Sequence, residues 1–159
     1  MLAQPEVDEF MAAEKVVPSV GQVMHWTTPV ESKSLWRGSV EVDAHRVGEI
    51  IVSACPALPR AWHFKLCFHG DEVYRIDSAS GPCRHSNPRN RHASFPGKVS
   101  DIVHEHIYVE GLDCKCARGL PDLAASGHDA IFEEFCTRAR LRFEPEYRPP
   151  QTFHQIPML

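Results

Sequence analysis

This chain predicts an α+β fold: an antiparallel β-meander with an N-terminal and a C-terminal helix packed on one face of the sheet. Three observations lead there. Apolar residues recur at helical spacing only near the two ends, over about 5–17 and 128–143. Between about 35 and 112 they fall in short extended runs bounded by turn residues. The 159 residues, 43% of them hydrophobic, suit one core, with no second domain and no internal repeat. Residues 1–145 form the expected domain, and 146–159 a proline-rich C-terminal tail over the surface.

The elements follow in order. Pro5 suits a first helical turn; Val7, Phe10, Met11 and Val17 fall near one stripe, and Pro18 stops the helix. Residues 18–34 are mixed, with room for one short strand. "GSVEVDA" at 38–44 alternates, and "GEIIVSA" at 48–54 is a short apolar run. "AWHFKLCFH" at 61–69 sets Trp62, Phe64, Leu66 and Phe68 against His63, Lys65, Cys67 and His69. "EVYRID" follows at 72–77, then a loop over 78–99 dense in Gly, Pro, Ser and Asn. "DIVHEHIYVE" at 101–110 reads as the last strand. The helix over 128–143 carries Phe132, Phe135, Cys136 and Ala139 at helical spacing. Ser126 and Asp129 stand three apart like a capping box, and Arg138, Arg140 and Arg142 crowd the final turn.

Net charge −4 and a pI of about 6.2 argue against a broadly basic nucleic-acid binder but permit a local basic patch. The start, "MLAQPEVDEFMAAEKVV", lacks the basic cluster and apolar run of a signal peptide. No stretch approaches the roughly 20 apolar residues of a membrane span. A cytoplasmic protein is expected, its six cysteines mostly small buried hydrophobes rather than disulfides.

Side chains two apart on a strand share a face. His104, His106, Tyr108 and Glu110 therefore share one side, and Val103, Ile107 and Val109 the other. Arg75 and Asp77 stand opposite Tyr74 and Ile76. A two-residue turn at Gly70-Asp71 would put Arg75 on the apolar side. An odd loop pairing His69 with Val73 keeps the polar residues together and is the expected connection. The loop adds Arg84, Arg89, Arg91 and Lys98 with no acidic residue, and also His85, Asn87 and His92. Arginine forks suit phosphate, and histidine moves protons near neutral pH. The competing reading is a solvated loop beside a wet sheet face. His-x-His followed by Cys114-x-Cys116 also has the residue types of a zinc site, at a spacing unlike the common paired-cysteine modules. No dinucleotide, Walker, serine-hydrolase or His-Glu-x-x-His signature is present.

The order Arg75-x-Asp77, His85-x-Asn87-Pro88, His104-x-His106-x-Tyr108-x-Glu110-Gly111, Lys115-x-Ala117 and Leu120-Pro121 resembles a bacterial domain-of-unknown-function family of small cytosolic proteins, often associated with mobile elements or prophages. The resemblance spans about 1–143. Val103 stands where that family has proline, and Cys116 where it has tryptophan. It implies a layout, not an activity. A looser likeness, to toxins of toxin–antitoxin pairs, rests on Phe95-Pro96 preceding the two histidines.

The leading expectation is an RNA- or phosphate-directed protein, read as a metal-independent endoribonuclease-type toxin. His104 and His106 supply acid and base, Arg75 holds phosphate, Asp77 orients a histidine and Tyr108 assists. Arg84, His85, Asn87, Arg89 and Arg91 bind phosphates. This reading calls for no cofactor or metal, and for RNA or an antitoxin as partner. The alternative is a non-enzymatic inhibitor on a host defence nucleoprotein complex, such as one of CRISPR type; its acidic charge suits a basic groove. A second alternative is a zinc-stabilised structural domain.

Overall fold

The computed structural model describes residues 2–19, 26, 33–55, 57–58, 60–81 and 83–149. The possible strand within 18–34 falls largely outside these residues, as does most of the proline-rich tail. In chain order the elements are α1 (Gln4–Ala12), β1 (Lys15–Val17), β2 (Ser34–Val42), β3 (His45–Ala54), β4 (Trp62–Phe68), β5 (Asp71–Ser78), β6 (His85–Ser86), β7 (Lys98–Val99), β8 (Val103–Val109), β9 (Asp113–Gly119), a 3-10 turn (Pro121–Leu123), α2 (His128–Arg138) and β10 (Leu141–Phe143). Eight strands form one sheet in the order β10-β1-β2-β3-β4-β5-β8-β9. Neighbours pair antiparallel except β1 and β10, which run parallel. The small strands β6 and β7 pair with each other in the long loop.

Both helices are shorter than expected, and for one physical reason. Each is followed within three residues by a strand. The buried Lys15 donates from Nζ to the carbonyls of Phe10 (2.7 Å), Met11 (3.1 Å) and Ala13 (2.7 Å), which satisfies the end of α1 and releases the chain into β1. Burial lowers the Lys15 pKa to about 8. At the other end Arg140 adopts φ 49°, a left-handed step that stops α2 before β10. Gly127 precedes α2 without a side-chain cap, so the Ser126/Asp129 capping box does not form.

The helices share one sheet face. Phe64 packs against Phe132 and Phe135, Tyr74 stacks on Phe135, and Phe10 stacks on Phe68 at 4.3 Å. Ile50, Val52, Leu66, Ile76 and Ile131 are fully buried among them. Each such side chain contributes about 1.5–3 kcal/mol on leaving water.

The β4–β5 connection decides which residues share the opposite face. The turn is His69-Gly70, both with positive φ (48° and 91°), between Phe68 and Asp71. It is a two-residue turn, one position earlier than Gly70-Asp71, not the expected odd loop. A bulge then takes up Val73: Cys67 pairs with Glu72, but Leu66 pairs with Tyr74. The bulge restores parity, so Lys65 faces Arg75 and His63 faces Asp77. His69 belongs to the turn, its ring tilted at 44° against Phe68 with centroids 4.2 Å apart. Strand β8 is not the last strand, because β9 covers its outer edge. No helix among the described residues is long and apolar enough to cross a membrane.

Candidate functional site

Strands β4, β5 and β8 lie side by side. Their register aligns two rows across the polar face, His63–Asp77–His104 and Lys65–Arg75–His106. Residues directly opposite on neighbouring strands stand about 5 Å apart, so each row is a contact chain.

Asp77 sits at the centre. Its Oδ1 lies 2.7 Å from His63 Nδ1. Its Oδ2 lies 3.0 Å from Arg75 Nε, 3.2 Å from His106 Nε2 and 3.8 Å from His104 Nε2. Neither the Arg75 Nε nor the His106 Nε2 contact has hydrogen-bond alignment. Burial pushes the Asp77 carboxyl up, but donation from His106 where its Nε2 carries a proton, donation from His63 and the Arg75 charge outweigh that and hold it well below the usual carboxylate range. Glu72 forms ion pairs with Arg75 Nη1 at 3.0 Å and Lys65 Nζ at 2.8 Å, extending the charge chain along the face.

The two β8 histidines are nearly sealed, His104 at 4% and His106 at 2% exposure. Burial lowers the His104 pKa to about 4, against the pull of Asp77. The long loop supplies the lid. Cys83 Sγ approaches His104 Nε2 to 3.7 Å, and the His85 ring stands edge-on to His106 at 4.8 Å. Asn87 fastens the loop to the sheet edge. Its Nδ2 donates to the carbonyls of Pro96 and Ala117, and its Oδ1 accepts from the Ala117 N–H. A cleft of about 310 Å³ remains open on this side, lined in part by Glu72, Arg75, His85, His106 and Lys115. On the polar side the exposed end of the cluster is His63, whose side chain is 36% accessible, against 22% for Arg75 and 13% for Asp77.

Of the expected catalytic set, Arg75, Asp77, His104 and His106 come together. Tyr108 lines the same cleft as Arg75 and His106, but its hydroxyl donates to the Leu2 carbonyl at 2.5 Å and ties down the segment before α1. Glu110 is likewise engaged with Gln4, accepting from its N–H and donating its own N–H to the Gln4 side chain. Of the expected phosphate binders, Arg84 and Arg89 are exposed. Asn87 has both amide hydrogens committed to backbone carbonyls, so it works as a clamp. Arg91 bonds the carbonyls of Phe95 and Pro88 within the loop. His85 lines the cleft with Nε2 3.1 Å from the Lys115 carbonyl. Cys114 and Cys116 do not join the histidines as ligands. Among the described residues, the group whose ligand atoms converge is Asp77, His104 and His106, within 4.8 Å of one another.

Sequence reasoning placed His63 on the polar side but gave it no role. Its signal was the alternation of "AWHFKLCFH", and what it lacked was the register that sets Asp77 opposite. Cys83 carried no signal at all. Comparison of the chain with protein-family models, with curated proteins and with solved structures finds no match, so function must be argued from this cluster.

Proposed function

We propose that the polar face binds RNA phosphates and cleaves the strand by proton transfer, with the ribose 2′-hydroxyl as nucleophile. The observation that carries this reading is the 2.7 Å contact between His63 Nδ1 and Asp77 Oδ1 at the exposed end of the cluster. A carboxylate only accepts, so Nδ1 donates and Nε2 is left as a base. The His63 base removes the 2′-hydroxyl proton, the 2′-oxygen bonds to phosphorus, and the bond to the 5′-oxygen breaks as that oxygen takes up a proton from water, the His63 proton passing to solvent in turn. Lys65, on the same face of β4, and Arg75 flank His63 with positive charge for the phosphate. The exposed Arg84 and Arg89 extend that charge along the RNA. The acid–base role thus moves from the sealed His104 and His106 to His63, with Asp77 orienting it.

The test is direct. Purified protein is incubated with end-labelled RNA and with the same oligomer carrying 2′-deoxy residues. The expected result is cleavage of the ribose strand alone, leaving a 2′,3′-cyclic phosphate, and a loss of about 10²–10⁴-fold in rate for His63→Ala. Intact RNA, or undiminished cleavage by His63→Ala, sinks the reading. Copurification of an intact partner complex without cleavage would favour the non-enzymatic inhibitor instead.

A further inference from the structure

We infer that Asp77, His104 and His106 form a site for one divalent transition-metal ion of the zinc class. The inference concerns a bound ion and does not rest on RNA cleavage. His106 Nδ1 lies 3.2 Å from the Cys114 carbonyl oxygen. A carbonyl can only accept, so Nδ1 carries a proton and donates, and in the neutral ring Nε2 presents a lone pair. That lone pair stands 3.2 Å from a second acceptor, Asp77 Oδ2, and His106 Nε2 is buried without a hydrogen-bond partner. The His106 side chain is 3% exposed, so water screens little of the repulsion. Something positive belongs between the two atoms. His104 stands on the same carboxylate: its Nε2 is 3.8 Å from the same oxygen and 3.7 Å from Cys83 Sγ, and its Nδ1 is buried without a hydrogen-bond partner.

The spacing suits a metal. Two ligand atoms at about 2.0–2.2 Å from a tetrahedral zinc stand roughly 3.3–3.5 Å apart, and a nitrogen–sulfur pair roughly 3.6 Å. The observed 3.2 and 3.8 Å separations straddle the first figure, and the 3.7 Å from Cys83 Sγ to His104 Nε2 matches the second. Cys83 approaches His104 but does not belong to the group whose ligand atoms converge, so the three ligands are Asp77, His104 and His106. The outer contacts follow the pattern of metal-bound imidazole and carboxylate: a carbonyl behind His106, and His63 on the other oxygen of Asp77. Two imidazoles and one carboxylate suit zinc, cobalt(II) or iron(II) better than calcium or magnesium. A proton on His106 would fill the same gap, and metal titration separates the two.

The full chain, stripped with a chelator, is titrated with Co²⁺ by absorption and with Zn²⁺ by calorimetry and thermal melting. The expected result is one ion per chain, a tetrahedral ligand-field band and a raised melting temperature. Asp77→Asn and His106→Gln are expected to weaken binding at least about 100-fold and His63→Ala about 10–100-fold, while His92→Gln, in the exposed part of the loop, binds as wild type. No saturable one-to-one binding by the wild-type chain overturns the inference, as does unchanged affinity in Asp77→Asn. RNA cleavage enters neither readout, so the two proposals fail separately.

Discussion

Each face of the sheet holds a carboxylate, Glu105 on β8 and Asp77 on the neighbouring β5, and the two are held differently. On the helix face Glu105, 1% exposed, accepts from the Tyr74 hydroxyl at 2.7 Å, from Arg118 and from Arg138 Nη1 at 3.3 Å. Those partners come from β5, β9 and α2, so one side chain ties three elements together. Both arginines stay charged at any working pH and keep part of their surface in water. On the polar face Asp77 is ringed by three imidazoles whose charge is optional, and of these only His63 is aligned. The first carboxylate is satisfied and structural. The second has positive groups near it but poor geometry, the observation on which the proposed metal site rests.

Removing each carboxylate in turn tests that contrast most strongly. Glu105→Ala strands the buried Tyr74 hydroxyl and removes a partner of Arg118 and Arg138, and should cost about 3 kcal/mol. Asp77→Ala frees His63 to water and leaves Arg75 paired with Glu72, so its cost should be about 1 kcal/mol. Urea denaturation of both variants measures the difference. Equal losses would show that both carboxylates are structural.

A smaller effect separates what covers each face. The helix face is covered by α1 and α2 through buried rings, whereas the polar face is covered by a loop held through Asn87. Asn87→Ala leaves the Ala117 N–H and C=O without their partner, at a cost of about 2 kcal/mol. The expected signature is local: faster hydrogen exchange at Ala117 and faster proteolysis within the loop, with the sheet protected. Uniformly faster exchange would mean that the loop belongs to the core.

Periodicity made the strands from 38 to 77 and the one within 101–110 legible, because alternation over several residues has one physical meaning. It failed where a segment was too short to show a period. Lys15-Val16-Val17 and Leu141-Arg142-Phe143 continue a helical stripe as well as they begin a strand, and only the pairing of the two ends distinguishes them. Asp113–Gly119 holds small and charged residues rather than an apolar run, and no strand was expected there. The shared polar face was foreseen although its device was not: parity was sought in the turn length, whereas the bulge at Val73 supplies it. The clustering of Arg75, Asp77, His104 and His106 followed from parity alone. The roles of His63, Cys83 and Asn87 did not, since each depends on which strand or edge lies opposite.

The smallest test concerns a histidine on the helix face, where burial has no functional reading. His128 opens α2 with its ring edge-on to Trp62 and Phe64, its Nδ1 2.8 Å from the Tyr147 hydroxyl, and Asp129 3.8 Å away. Burial lowers its pKa from 6.5 to about 4, more than Asp129 raises it. The unfolded chain therefore binds the proton more tightly than the folded one. Stability is complete above about 6.5 and falls as pH drops toward 4, by about 1 kcal/mol between pH 7 and pH 5.5 for this one group. His128→Phe keeps a ring against Trp62 and Phe64 and removes the titration. Denaturation midpoints at the two pH values should differ less in the variant than in the wild type by that amount. Parallel profiles would assign the acid sensitivity to the histidines of the polar face, and the two faces would then differ in their titration as well as in their carboxylates.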